Sequence, residues 1–301
     1  MICGAVDIGS NTLRFIVADV VSGKINNILY EQRHIIRLAE GIKNSNRISM
    51  AAFERLLCAL LSVKESVADF DNIGIRYVAT SALREAENGK EIVDAIFEKL
   101  KIKIEVISSE EEAEYMFKGV ASVIDIEDKV SLIFDIGGGS TEYIISDKGS
   151  IVFNKSFDLG VVKLSDEYDF TGKISEEMKV RLFDRVNSVI LSLPLRKIDC
   201  AIATAGTATT LAAIDMKLVD YDYRKVNNYR LKYERIKEIF DILCNLDIKG
   251  REKIEGLEKG RADLIIAGAA IVIKSMEIFS IDELIISDFG LREGLVVSYC
   301  K

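Results

Sequence analysis

The sequence predicts an α/β protein built from two related halves, and three observations carry this. An apolar strand ending in Asp-Ile-Gly occurs twice, at Asp7-Ile8-Gly9 and at Asp135-Ile136-Gly137, about half a chain apart. Each copy runs through small residues into a second apolar strand, Leu13–Val20 in the first and Tyr143-Ile144-Ile145 in the second. Strand-like and helix-like stretches then alternate along 301 residues, a length that suits about two domains.

In order, Ile2–Asp7, Leu13–Val20 and Ile25–Glu31 form a strand meander, with Ser22-Gly23-Lys24 at its second turn. Ser49 is placed to cap a helix over Met50–Phe70, where Phe53, Leu56, Leu57, Leu60, Val63 and Val67 recur at helical spacing. Ile73–Ala79 is a strand, and Thr80 or Ser81 caps a helix with Arg84 in its first turn. A helix over Glu91–Leu100 and a strand over Lys103–Ile107 follow. Ser109 and Glu112 fit an S-x-x-E capping box at the next helix, which leaves a purely structural role open to Glu112. The central hairpin spans Leu132–Ser146. A strand over Ser150–Phe157, a helix over Glu176–Leu193 capped by Ser175, and a strand over Ile198–Ala203 come next. Tyr221–Tyr229 reads as loop and Tyr233–Leu246 as helix. Lys249–Lys259 reads as a mobile charged segment, and Arg261–Phe279 as a long buried helix. Glu283–Ser287 is a strand before the last helix.

Composition excludes several classes of function. His34 is the only histidine, so neither a histidine-cluster metal site nor a Ser-His-Asp triad can be built. The longest strongly apolar run, Leu264–Ile273, is far short of the roughly 20 residues a membrane span needs. The N-terminus enters the Asp7 strand without a basic leader, so no signal peptide is expected. Five cysteines lie without CxxC spacing and are expected to be free, mostly buried thiols of a reducing compartment. A net charge of −8 argues against non-specific nucleic-acid binding. It also means that a polyanionic substrate must meet local positive charge or metal.

The chemistry concentrates at the turns. Gly137, Gly138 and Gly139 permit φ > 0 and a close approach of backbone to ligand, and their amides can form a nest for phosphate. Asp135 and Glu142 flank them with the hard oxygen ligands that Mg²⁺ or another divalent cation takes. For GGG alone, a plain glycine-rich hairpin is the competing reading. The two copies together would offer their hairpins to one cleft. Arg84 lies near a helix N-terminus, where anions are favoured, unless it is simply a solvated surface residue. Thr204–Ala213, with Gly206 and Thr207, places small residues at a strand-to-helix turn. There the backbone can approach a phosphate or nucleotide, or the helix can pack tightly on the strand.

Six segments, AVDIGSNTLRF, ATSALREAENG, VISSEEEAEYMFKG, FDIGGGSTEYII, ATAGTATTLAA and ISDFGLREGL, occur in this order. Together they resemble the exopolyphosphatase/guanosine pentaphosphate phosphatase (Ppx/GppA) family over essentially the whole chain. The resemblance implies the actin-like, ribonuclease H-like fold shared with sugar kinases and Hsp70 ATPases, with two α/β domains around a cleft. It divides the chain into 1–124 with about 286–301, the final helix returning to the first domain, and 125–285. It implies that Glu112 is the general base and Arg84 the phosphate-binding arginine. Asp7, Ser10, Asn11 and Arg14 would form the first phosphate loop. Asp135, Gly137, Ser140 and Glu142 would form the second, with its metal-binding carboxylates. Ser109 stands where the family usually has glycine, which puts the entry to the Glu112 helix in question. Long family members carry a helical C-terminal region with no counterpart in the residues up to Lys301.

The expected function is therefore Mg²⁺-dependent release of terminal phosphate from inorganic polyphosphate or guanosine pentaphosphate. A cytoplasmic location is expected, with no nucleic-acid or membrane partner and with a homodimer left open. An ATP-dependent kinase or ATPase of the same fold, or a catalytically silent nucleotide-binding regulator, are the alternatives. The basic runs Arg224-Lys225 and Lys249–Lys259 are short and interrupted by acids, so short polyphosphates or nucleotide ends are expected to be preferred over long chains.

Overall fold

The structure is a computed structural model that describes residues 1–68, 70 and 73–299. The chain divides into two compact units, Met1–Ser122 with Phe289–Lys301, and Val123–Asp288.

The first unit is built on β1 (Ile2–Ile8), β2 (Thr12–Val21), β3 (Lys24–Ile35), β4 (Gly74–Ala79) and β5 (Ile104–Val106). Their order is β3-β2-β1-β4-β5, an antiparallel meander extended by two parallel strands. Alternation along the strands divides the side chains between two faces. Val6, Ile8, Leu13, Phe15 and Val17 pack with Leu56, Leu60 and Val63 of the helix Met50–Val67. Cys3, Ala5, Ile16 and Ala18 pack instead with Leu291, Leu295 and Val296 of the helix Leu291–Tyr299. Asp7 and Arg14 share this second face by the same alternation.

The second unit is built on β6 (Val130–Ile136), β7 (Thr141–Asp147), β8 (Ser150–Phe157), β9 (Cys200–Thr204), β10 (Tyr229–Lys232) and β11 (Glu283–Ile286). The order β10-β11-β9-β6-β7-β8 repeats the first unit's pattern of meander and two parallel strands, and adds β10 antiparallel on the edge. This is the actin-like strand order, present twice. Leu132, Phe134, Ile136, Tyr143 and Ile145 anchor its core against Leu182, Val186 and the helix Ile265–Phe279.

Three expectations need correction. Tyr221–Tyr229 is not loop throughout: it holds the short helix Tyr223–Val226 and leads into β10, whose only buried residue is Leu231. One apolar residue among charges gives no strand signal, but the free edge of β11 supplies the pairing. Lys249–Lys259 overlaps the helix Ile248–Arg251, capped by Asp247, and Arg251 is completely buried. Its guanidinium donates to the carbonyls of Leu243 (2.8 Å), Gly172 (2.7 Å), Ala262 (3.4 Å) and Phe170. Those carbonyls would otherwise be costly to bury, and only a group with five donors serves so many. Cys3 is disulfide-bonded, while Cys58, Cys200 and Cys244 are free thiols. Cys300 and Lys301, and Asp69 of the expected Met50–Phe70 helix, lie outside the described residues. Among the described residues no helix is long and apolar enough to cross a membrane.

Within the first unit the helices Ser109–Ala121 and Leu291–Tyr299 cross at two glycines. A Cβ on Gly119 would sit 1.9 Å from the Gly290 carbonyl oxygen, and one on Gly294 would sit 1.7 Å from that of Tyr115. Backbone cannot retreat from such an overlap without parting the helices. Gly294→Ala should destabilise the protein by about 1–3 kcal/mol or more, read as a lower midpoint in denaturant melts.

Candidate active site

The expected site residues fall into two sets, one in each unit. In the first, the β1–β2 turn is closed by the Gly9 amide donating to the Thr12 carbonyl at 3.0 Å. Ser10 and Asn11 form its tip and are buried. Their carbonyls are tied down by amides of the chain after β3: Ser10 accepts from Ala39, and Asn11 accepts from Ile36 and Arg37. Ser10 Oγ lies 2.8 Å from Ser81 Oγ at the start of the helix Ser81–Glu85. Asn11 Oδ1, an acceptor, is buried and has no hydrogen-bond partner, so it calls for a donor such as water. Asp7 stands directly opposite Arg14 in the strand register. Burial pushes the Asp7 carboxyl up to about 6, against the pull of Arg14 and Arg292, and Glu293 adds to the rise.

Arg84 and Glu112 meet in this unit. Arg84 Nη1 donates to Glu112 Oε2 and to the Ile107 carbonyl, each at 3.0 Å. The helix that carries Glu112, Ser109–Ala121, begins one residue earlier than the S-x-x-E pattern at Ser109 predicts. Ser108 is the N-cap: its Oγ accepts the Glu111 amide at 3.2 Å, and Glu111 Oε2 accepts the Ser108 amide at 2.9 Å. The capping box is Ser108/Glu111, and Glu112 is released from that duty. Helical spacing explains the choice, because Glu112 shares the buried face with Ala113 and Met116 while Glu111 faces solvent. Ser109 is the first helical residue and takes no part in the cap.

In the second unit the Gly137 amide donates to the Ser140 carbonyl at 2.9 Å, the counterpart of the Gly9–Thr12 bond. The Gly137 and Gly138 carbonyls accept the amides of Val161 and Val162, which pins the loop from behind. Among the described residues the amides of Gly138, Gly139 and Ser140 donate to no backbone carbonyl, so they remain available to an anion. None of the three glycines has a positive φ, contrary to expectation. Close approach is what the loop requires: a Cβ on Gly160 behind it would fall 2.2 Å from the Gly138 carbonyl oxygen. Asp135 and Glu142 are directly opposed across β6 and β7, and Glu142 Oε1 accepts from Ser156 Oγ at 2.8 Å. Thr204 is the β9 partner of Asp135, and it leads into the helix Ala205–Asp215. Ala205 holds φ 63, in the left-handed region that L side chains resist. Gly206 and Thr207 are packed by their own chain: a Cβ on Gly206 would overlap the Arg261 guanidinium, and Thr207 presses on Gly268. Tight packing therefore accounts for their small size.

Sequence reasoning overlooked Arg292 and Glu293, which are buried and within electrostatic reach of Asp7. Charged residues at a helix start read as surface, so no pattern in the sequence marked them. Among the described residues no group of three or more His, Cys, Asp or Glu side chains comes together to hold a metal. Asp135 and Glu142 are a pair.

Comparison with known proteins gives concordant matches. The family model of the Ppx/GppA phosphatase family matches residues 16–301. A bifunctional 3-dehydroquinate synthase/phosphatase of Fusobacterium nucleatum is 32% identical, over 97% of this chain and 46% of its own length. Exopolyphosphatase 2 of Mycobacterium tuberculosis is 28% identical over 98% of this chain and 97% of its own. The guanosine-5'-triphosphate,3'-diphosphate pyrophosphatase of Aeromonas salmonicida is 28% identical over 97% of this chain and 58% of its own. The chain thus spans about half the length of the first and third of these relatives. The crystal structure of the Aquifex aeolicus Ppx/GppA family member aligns with a TM-score of 0.85 at 32% identity, covering 100% of this chain and 97% of that one.

The Asp7 environment has a consequence for stability. The carboxyl rises from an ordinary value of 3.8 to about 6 on folding, so between those pH values the native state holds a proton that the unfolded chain has lost. Stability from this group is therefore full below about pH 4 and declines as pH rises through 6. Asp7→Asn should flatten that part of the stability–pH curve, measured by denaturant melts at pH 4, 5, 6 and 7.

Proposed function

The chain belongs to the Ppx/GppA phosphatase family, and we propose that it is a phosphoanhydride hydrolase releasing terminal phosphate from inorganic polyphosphate or guanosine pentaphosphate. One observation carries the reading: Arg84 grips Glu112, a buried carboxylate that helix capping does not use. A phosphate that recruits Arg84 competes for that guanidinium and leaves the Glu112 carboxylate beside the bound anion as a base for water. Hydrolysis of a phosphoanhydride asks for positioning and charge neutralisation more than for covalent chemistry. Within the first unit, Ser10, Asn11 and Arg14 would meet phosphate at the β1–β2 turn, and Ser10 touches the helix that carries Arg84. Within the second, the amides of Gly138, Gly139 and Ser140 offer a separate anion nest. Gly206 and Thr207 support the turn beside Asp135.

Asp135 and Glu142 suit a divalent cation. Like charges directly opposed across a strand pair are unfavourable by themselves, and Mg²⁺ commonly takes one or two carboxylates with the rest of its shell from water and substrate phosphate. When bound, the ion supplies neutralisation of charge on the phosphate oxygens. Nothing in the site favours a kinase.

Phosphate release from polyphosphate, guanosine pentaphosphate and ATP, compared side by side, tests the reading. Turnover of ATP alone would overturn it. Glu112→Gln should lower kcat by about 10²–10⁴-fold with melting unchanged. Ser108→Ala, which removes the N-cap hydroxyl, should do the reverse, costing about 0.5–2 kcal/mol of stability with kcat near normal. Asp135→Asn should raise the Mg²⁺ concentration needed for half-maximal rate, and an unaltered Mg²⁺ titration would place the ion elsewhere.

A further inference from the structure

Three parallel strands of the first unit end level with one another: Ile8 of β1 pairs with Ala79 of β4, and Ala79 pairs with Val106 of β5. Ligands of open α/β sheets gather outside such carboxyl ends. Two residues beyond each end stands a serine, at Ser10, Ser81 and Ser108. Ser108 caps the helix that carries Glu112. Ser10 and Ser81 are each only 5% exposed, and their hydroxyl oxygens lie 2.8 Å apart. Ser81 has no part in the chemistry above.

The pair holds two hydroxyl hydrogens and uses one. A hydroxyl has one donor hydrogen and two acceptor sites, so one serine donates to the other, and the accepting serine keeps its own hydrogen. Among the described residues neither hydroxyl makes a second hydrogen bond. A buried donor without an acceptor is costly, so the spare hydrogen calls for an oxygen from outside the chain. Holding loop and helix together does not explain the pair. The Thr80 amide already donates to the Ile8 carbonyl at 3.3 Å, and the Ala39 amide to the Ser10 carbonyl at 3.0 Å. Two alanines would fill the same contact with no hydrogen left over. Arg84 gives the charge of the missing acceptor. It stands three residues beyond Ser81 on the helix Ser81–Glu85, so the two are neighbours along one side. A phosphate drawn to Arg84 brings its oxygens within a helical turn of the spare hydrogen, and an anionic oxygen accepts more strongly than water does.

We propose that Ser81 is a phosphate-binding residue that works as a unit with Ser10: the two hydroxyls share one hydrogen between themselves and give the other to an oxygen of the phosphate held by Arg84. This rests on the reading of the first loop and Arg84 as a phosphate site. The pair supplies a single donor, and either serine alone still has a hydrogen to supply it. Only loss of both hydroxyls removes the donor.

The test is a double-mutant cycle on Ser10→Ala, Ser81→Ala and the double variant, with Arg84→Ala as the control for the site itself. The probe is methylenediphosphonate, a phosphoanhydride mimic that resists hydrolysis. Its Kd is measured by calorimetry at pH 7.5 in the presence of Mg²⁺, and melting midpoints are recorded alongside. Each single variant should bind no more than about threefold more weakly, because one hydroxyl keeps its hydrogen. The double variant should bind at least about tenfold more weakly, as befits loss of a hydrogen bond to a charged group. That loss should exceed the product of the two single losses. Removing both partners of the buried pair leaves nothing unsatisfied, so the double variant should melt near the wild-type midpoint. Wild-type affinity in the double variant, or a loss that is only the product of the singles, would overturn the proposal. Arg84→Ala then separates the two readings. Weaker binding in that variant would keep the phosphate site without Ser81, and unchanged binding would remove the site as well. No readout requires turnover, so a failure of phosphate release would count against the hydrolase reading alone.

Discussion

In each unit a single amide closes the turn on which everything nearby depends. Gly9 donates to Thr12 in one and Gly137 to Ser140 in the other, and that bond sets the register of the hairpin. Once the register is set, the aspartate two residues before the glycine falls directly across from the second residue after the closing carbonyl's own. In the first unit that residue is Arg14, and in the second it is Glu142. The halves diverge chemically from this position. One carboxylate faces an arginine across the strand pair, and the other faces a second carboxylate. A slip of one residue would send all four side chains to the opposite face.

Much of this was legible in the sequence because it is written at period two. The duplicated strands, their Asp-Ile-Gly ends and the helices between them follow from apolar spacing, and the two hairpins lie at matching places in their sheets. The roles of individual charged residues were harder to see. Ser108 and Ser109 both stand three residues before a glutamate, so pattern alone could not choose between Glu111 and Glu112 as the capping partner. The choice is made by which face of the helix is buried, a tertiary fact. Arg251 and the Arg292–Glu293 pair were invisible for a related reason. Charge in a sequence reads as surface, whereas these side chains are buried by what they satisfy: four carbonyls in one case, a helix start and a carboxylate in the other. The edge strand β10 was missed because it borrows its order from β11 rather than from its own apolar content.

The crossing of the helices Ser109–Ala121 and Leu291–Tyr299 bears on how the chain is made as well as on how it rests. The second unit is continuous, whereas the first is interrupted by it. During synthesis Val123–Asp288 emerges as one uninterrupted stretch and can acquire its core on the ribosome. The first unit has by then displayed Cys3, Ala5, Ile16 and Ala18 for more than half of these 301 residues, because Leu291, Leu295 and Val296, which cover them, are translated only after the whole second unit. The nascent protein therefore carries an uncovered apolar sheet face throughout elongation, a natural landing place for a chaperone, and premature termination anywhere before residue 291 yields a chain with that face permanently bare.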